Sequence, residues 1–295
     1  MQPNTPKQTD SIIPLMGNPS QLSLLTSLTA YPLLLRLFSG PNPTPQRLSK
    51  SIKATSTIHS LLSTLLALHL LSQPQWRSHA SPPQPLSISS KQNLAGHDGG
   101  SYPDDTLNPI ISGRSEYGNA ITAIEAGYLV QDTFALLYLA RVQGNNKWAW
   151  RNLDKTLVTH HITIGTALLI LQYYIACNRE AGIYIIVQFL LMNSSTPVLN
   201  LRWYLRHFAK QKRKAILLAD AAFVVAFFMA RVWLVWKILA DYGAFHGWSA
   251  WEAYSYGLRV PCKLGTGALL GANVGWWTVL VTNVMGRTRF TLGGQ

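Results

Sequence analysis

Two apolar segments between residues 156 and 206 decide the fold, because they carry the pair HH at 160–161 and the string STPVLNLRW at 195–203. A segment that crosses a bilayer rarely contains adjacent imidazoles or several amides and hydroxyls. Polar groups at membrane depth are costly, and they usually face the interior of a helix bundle or a cavity. The stretch therefore predicts a membrane protein whose polar interior is the place to look for its function.

The composition of the 295-residue chain points the same way. Only 13% of the residues are charged and the mean hydropathy is +0.11, whereas a soluble domain carries about a quarter charged residues. Seven apolar runs approach the roughly 20 residues that span a bilayer. They cover residues 22–38, 55–71, 119–140, 156–176, 182–201, 216–239 and 264–285. We therefore predict an all-α, polytopic transmembrane helical bundle of about seven spans.

The basic residues behind the net charge of +13 lie mainly in the segments that would face one side of the membrane. If the N-terminus lies outside the cytosol and the chain then alternates sides, the cytosolic segments hold 15 basic residues and a single acid, Asp154. Such a bias of Lys and Arg sets membrane orientation. It favours a lumenal N-terminus and a cytosolic C-terminus over a nucleic-acid-binding protein, and it predicts that the basic loop 202–214 meets anionic lipid headgroups.

The chain divides into one added helix and a larger membrane domain. We expect a disordered tail at 1–20, a first span with a Pro-rich linker at 21–44, a transmembrane domain at 45–287 with a flexible loop at 73–115, and a C-terminal tail at 288–295. Pro197 is expected to kink its span. The spacing of Gly267, Gly271 and Gly275 predicts a seam of close helix contact. Cys177 and Cys262 fit either a disulfide or two thiols.

Ionisable residues inside the predicted spans are the first candidates for a site. Glu125 and Asp132 are two helical turns apart and share a face with Tyr128 between them. Asp220 and Arg231 also share a face, and Arg231 is expected to pair with an acid from another helix. Such groups serve either as structural ion pairs or as part of a functional cavity.

Histidines and amides supply the remaining candidates. His161 shares a helix face with Gly165 and Gln172, so we expect His161 rather than His160 to face inward, either for proton transfer or as a packed histidine. His59 is a lesser candidate, and His69 is expected to pack. Adjacent histidines do not chelate one metal ion readily from a helix, so no metal site is predicted. The next span adds polar residues that either join helices or line a pocket, namely Asn193, Ser195 and Asn200.

Together these motifs resemble the TLC domain, the six-span module of ceramide synthases and many lipid-associated relatives. The resemblance covers roughly residues 45–287. It rests on STIH at 56–59, Gly127-Tyr128 with Asp132, the His160-His161 pair, the STP…N…RW string, and FFMAR ending at Arg231. It departs from ceramide synthases at 190–195, where their His-Asp-x-x-Asp element is replaced by LLMNSS without a carboxylate. The resemblance therefore points to TLC-domain proteins outside the ceramide synthase branch.

The resemblance and the inward polar residues predict a protein of the endoplasmic reticulum that binds a membrane lipid in a central cavity and contributes to lipid homeostasis or trafficking, with no resident cofactor. The expected cavity residues are Glu125, Tyr128, Asp132, Gln172, Asn193, Ser195, Asn200, Asp220 and Arg231. One alternative is an acyltransferase that uses acyl-CoA as co-substrate, with His161 and His160 as catalytic residues. Another is a helical adaptor or cargo receptor, in which these residues only pack. The oligomeric state does not follow from the sequence.

Overall fold

A computed structural model describes residues 19–73, 105, 108–144 and 153–292, and it is helical throughout these parts of the chain. Most of the predicted N-terminal tail and of the loop 73–115 lies outside the described residues. The helices are α1 Pro19–Ser39, α2 Pro45–Leu71, α3 Glu116–Gln143, α4 Lys155–Ala176, α5 Ile183–Leu190, α6 Thr196–Phe208, α7 Arg213–Phe227, α8 Leu234–Phe245 and α9 Val260–Leu292. The prediction of an all-α polytopic bundle is confirmed.

Helix α2 begins ten residues before the apolar run that predicted it. The Thr44 side chain accepts a hydrogen bond from the backbone N–H of Arg47 at 3.3 Å, and Pro45 occupies the first turn. A hydroxyl cap followed by proline is a strong helix start, because the cap satisfies a free N–H and proline lacks one. Capping rather than hydropathy therefore sets this end, and it brings the basic residues Lys50 and Lys53 into the helix.

Helix α3 is the centre of the bundle, since it packs against α1, α2 and α4. The contact with α1 is close at Gly127, where a Cβ atom would lie 1.7 Å from Ser27 Oγ and 3.3 Å from the carbonyl oxygen of Leu24. Only a residue without a side chain fits at this point. The buried apolar residues of α1 and α3 meet beside it around Tyr31, Ala126 and Leu129.

The fifth predicted span changes to a 3₁₀-helix in its middle, just before Pro197, where a kink was expected. The chain leaves α5 at Leu190, forms a 3₁₀ segment over Leu191–Ser195, and continues as α6 with Pro197 in its first turn. The ring of proline cannot be accommodated inside a continuous α-helix, so the helix restarts there. The break turns Asn193 toward α2 and α3, as described below.

The sixth predicted span contains a π-helical segment that its sequence did not predict. Helices α7 and α8 are joined by Phe228–Trp233, so that one continuous rod runs over Arg213–Phe245. Such π-bulges are frequent at functional sites. The segment carries Arg231.

The glycine seam predicted in α9 is not formed within this chain. A Cβ atom at Gly267 would lie 2.5 Å from the Tyr254 hydroxyl, but at Gly271 and Gly275 it would meet no atom within 4 Å. Among the described residues, no helix lies close to Gly271 or Gly275, so two of the three glycines make no such contact. Both cysteines are exposed free thiols.

Five helical rods among the described residues are long and apolar enough to cross a membrane. They are Pro19–Ser39, Pro45–Leu71, Ile183–Phe208, Arg213–Phe245 and Val260–Gly286. The other two predicted spans are also helical, as α3 and α4, and they have spanning lengths of 28 and 22 residues. The chain is thus an integral membrane protein by its helices, and the total of seven spans stays a prediction.

Candidate functional site

A fully hydrogen-bonded carboxylate lies at the centre of the bundle. Glu125 of α3 lies 2.9 Å from His59 Nε2 and accepts a hydrogen bond of 2.9 Å from Ser63 Oγ, both on α2. Asn193 donates its amide to both carboxylate oxygens at 3.1 Å. These four residues, here called the Glu125 network, join three helices. Since each oxygen of the acid is partnered, its burial is compensated.

Aromatic rings hold His59 from the other side. The Tyr31 hydroxyl is hydrogen-bonded to His59 Nδ1, and the Tyr128 ring stacks on the imidazole with centroids 3.6 Å apart. His59 is 1% exposed, and both of its ring nitrogens have partners. The sequence alone indicates only a lesser candidate at this position. Ser63 lies one helical turn after His59, and this pairing on one face of α2 is the sequence signal that marks its importance.

A second acid and histidine face each other between α3 and α4. His161 Nδ1 lies 3.2 Å from Asp132 Oδ2, and each side chain is about a tenth exposed. The two groups are close but not aligned as a hydrogen bond, so Nδ1 has no such partner among the described residues. His160 is only half-buried and directs its ring toward Trp276. Asp132 and His161 therefore form the dyad of this site.

A pocket of about 300 Å³ opens beside the dyad, between α1, α2 and α3. Tyr128 and Asp132 form its polar end together with Thr55, whose hydroxyl is buried and has no partner in the described part of the chain. Most of the remaining wall is apolar and consists of Leu35, Leu48, Ile52, Phe134, Ala135 and Tyr138, with Arg36 also in the lining. Binding sites for small molecules have this character, with a mostly apolar wall and a few convergent polar groups.

The other residues predicted for a central cavity lie elsewhere. Gln172 donates to Thr122 Oγ1 at 3.1 Å, and Asn200 donates to the Lys53 carbonyl oxygen and to Thr57 Oγ1. Each amide joins two helices, which supports the prediction that these residues make helix contacts and do not line a pocket. His69, which we expected to pack, is exposed.

Asp220 and Arg231 are not paired with each other. Asp220 is 1% exposed and receives hydrogen bonds of 2.6 Å from Arg202 and Arg206 of the preceding helix. Arg231 donates from Nε to Ser195 Oγ at 3.2 Å. The acid expected opposite Arg231 is absent, since none of the ion pairs in the described segments includes this residue.

The described residues contain no group that could hold a metal ion, because no three side chains of His, Cys, Asp or Glu come together there. The site thus combines a hydrogen-bond acceptor, Asp132, with the imidazole of His161 beside an apolar pocket.

The fold and the buried polar groups define an all-α membrane protein with a polar interior. A sequence model of the TLC domain matches the chain over residues 51–283. The chain therefore belongs to the TLC-domain family. Neither a curated protein nor a solved structure matches it significantly. Helix α1, which forms one wall of the pocket, lies outside the matched residues.

Proposed function

We propose that this protein binds a membrane lipid in the pocket between α1, α2 and α3 and contributes to membrane lipid homeostasis or trafficking. One observation carries the proposal: an apolar pocket within a membrane bundle ends at the carboxylate of Asp132, next to Tyr128 and Thr55. A lipid chain would occupy the apolar part. Its polar end would find a carboxylate and two hydroxyls, which accept hydrogen bonds from a headgroup donor.

The cellular setting is part of the same proposal. A lipid-handling member of the TLC-domain family fits the endoplasmic reticulum, and the distribution of basic residues favours a lumenal N-terminus and a cytosolic C-terminus. In that orientation the end of the pocket near Gly40 and Pro43 opens toward the cytosolic side. The basic segment 202–214 would rest on anionic headgroups there. Its first part is the end of α6 and not the predicted loop, and Asp220 holds Arg202 and Arg206.

A second candidate function is acyl transfer from acyl-CoA to a lipid amine or hydroxyl. The dyad favours it, because an imidazole close to a carboxylate is a common arrangement of a general base. His161 would accept the proton of the amine or hydroxyl as it attacks the thioester, and the thiol of coenzyme A would leave. The structure brings Asp132 to His161, whereas Glu125 and Asp220 are already partnered elsewhere and do not substitute for the missing acids.

The test is mass spectrometry of the lipids that co-purify with the full chain, with and without added acyl-CoA. We expect a defined lipid with the wild type and its loss in Ala135→Phe, which fills the apolar part of the pocket. Lys237→Gln is the matched control, since it removes an exposed group far from the pocket in sequence. The same lipids in the wild type and in Ala135→Phe would contradict the proposal.

Acyl-CoA separates the two candidate functions. A lipid that is retained and chemically unchanged supports binding. A new acylated species that the wild type forms and His161→Ala does not would make the protein an acyltransferase.

A further inference from the structure

A half-buried arginine in the middle of a membrane span has no counter-ion among the described residues. Arg231 lies in the π-helical segment of the rod Arg213–Phe245, about midway along its length. A charged side chain at this depth costs at least about 2.5 kcal/mol unless it is paired or faces a polar cavity. No carboxylate of the described residues pairs with it. The groups around Arg231 therefore indicate its role.

The protein itself satisfies only part of the guanidinium. Arg231 donates from Nε to Ser195 Oγ at 3.2 Å, and Ser195 Oγ donates onward to the carbonyl oxygen of Met192 at 3.1 Å. The ring of Phe227 lies 5.4 Å below the guanidinium carbon. Of the five N–H groups of an arginine, one thus has an acceptor among the described residues. The four on the terminal nitrogens form the fork that binds carboxylate or phosphate oxygens in pairs.

Neighbouring helices bring further donors to this region. The His160 ring of α4 contacts Trp276 of α9 with ring centroids 6.1 Å apart. The next residue, Trp277, packs on Phe228 of the π-helical segment with ring centroids 5.1 Å apart.

Two polar side chains of α9 are buried here without partners. Trp277 Nε1 and both amide atoms of Asn273 have no hydrogen bond in the described part of the chain, and Asn273 is 1% exposed. A buried donor without an acceptor costs about 1–3 kcal/mol. Arg231 has no carboxylate partner among the described residues, and its π-helical segment packs on Trp277, whose N–H is unsatisfied; together these observations indicate a missing acceptor with negative charge.

We propose that Arg231, positioned by Ser195, binds the oxyanion of an acidic amphiphile inside the bundle, either a fatty carboxylate or a lipid phosphate. The apolar chain that such a group carries in a membrane explains why the site lies at mid-span. Arg231 is not part of the lining of the pocket between α1, α2 and α3. The site therefore goes beyond the proposed function and stands independently of it.

The experiment compares three amphiphiles with the same chain: palmitate, hexadecyl phosphate and the neutral hexadecanol. Each is titrated into the full chain in neutral detergent at mildly alkaline pH, and binding is measured by native mass spectrometry. We expect at least one anion to bind about tenfold or more tightly than hexadecanol, the difference made by a charge-assisted hydrogen bond. The anion that binds more tightly shows whether the natural ligand carries a carboxylate or a phosphate.

Variants assign that preference to the site. In Arg231→Gln both anions should bind as weakly as hexadecanol, whose own affinity stays unchanged. Ser195→Ala should reduce the preference in part, because the guanidinium loses the acceptor that orients it. Arg141→Gln, which removes an exposed arginine at the end of α3, is the control and should behave as the wild type.

Two results would overturn the proposal. One is a wild type that binds the anions no better than hexadecanol, a comparison that needs no variant. The other is a preference that survives in Arg231→Gln, or in the equally uncharged Arg231→Met if the glutamine variant does not fold. Ala135→Phe keeps the two proposals apart, because filling the pocket should weaken hexadecanol binding while the preference for anions persists.

Discussion

At the scale of single residues, the interior of this bundle separates polar groups that are satisfied from groups that are not. Glu125 has a hydrogen-bond partner for each of its oxygens, and this is the condition under which a buried carboxylate is tolerated. Asp132 is less completely partnered and lies beside a pocket. Arg231 is also less completely partnered, and its segment packs on Trp277, whose N–H has no partner in the described residues. The first kind of residue holds helices together, and the second kind is available for a ligand.

Replacing Glu125 with glutamine tests the structural role of the Glu125 network. The new amide group would direct N–H bonds at Asn193 Nδ2 or Ser63 Oγ, which now donate to the carboxylate. We expect Glu125→Gln to lower the free energy of unfolding by about 1–3 kcal/mol, the cost of buried unsatisfied groups. Thermal unfolding in detergent measures the change. Glu116→Gln at the exposed start of α3 is the control, and equal stability of the two variants would show that the network contributes nothing.

At the scale of helices, the sequence predicted the apolar cores of the elements but not their ends or their breaks. Hydropathy located all seven runs, and Pro197 correctly indicated an interruption. The early start of α2 depends on the cap at Thr44, which hydropathy does not register. The π-helical segment around Arg231 depends on packing against α9, because its sequence contains neither proline nor glycine.

The contact between α1 and α3 depends on Gly127, and its replacement should separate the two helices. A Cβ atom there would collide with Ser27 and approach the backbone of Leu24. We expect Gly127→Ala to destabilise the protein by about 1–3 kcal/mol, as overpacking does, and to reduce lipid retention because α1 is a wall of the pocket. Gly165→Ala is the matched control, since its Cβ would lie 3.6 Å from Leu129, an ordinary contact. Thermal unfolding and lipid analysis compare them, and similar losses in both variants would refute this role of Gly127.

At the scale of the whole molecule, the sequence predicted the class and the family, whereas the site was predicted only in pieces. Helix faces correctly grouped Glu125, Tyr128 and Asp132 on α3, since a helical period fixes them. Which residue of another helix meets each of them does not follow from one helix. Hence His59 was underrated, and Asp220 was not matched with Arg202 and Arg206 of the preceding helix. Tertiary contacts decide these pairs.

Membrane orientation is the largest prediction made from charge alone. We expect an acceptor site for N-glycosylation inserted in the loop 73–115 to be modified in cells, and one appended after Gln295 to remain unmodified. The physical reason is the excess of basic residues in the segments assigned to the cytosol. Gel mobility before and after glycosidase treatment shows whether each site is glycosylated. Modification at the C-terminus, or at both positions, would contradict the proposed orientation and the number of spans.

The most direct test of the lipid-binding pocket is photochemical cross-linking with a lipid that carries a diazirine in its acyl chain, followed by peptide mapping. We expect adducts on the apolar wall contributed by α1, α2 and α3, around Leu35, Ile52 and Ala135, and their loss in Ala135→Phe. Adducts confined to the outer faces of the bundle, unchanged in Ala135→Phe, would contradict the account, because they would show a lipid that surrounds the protein without entering it.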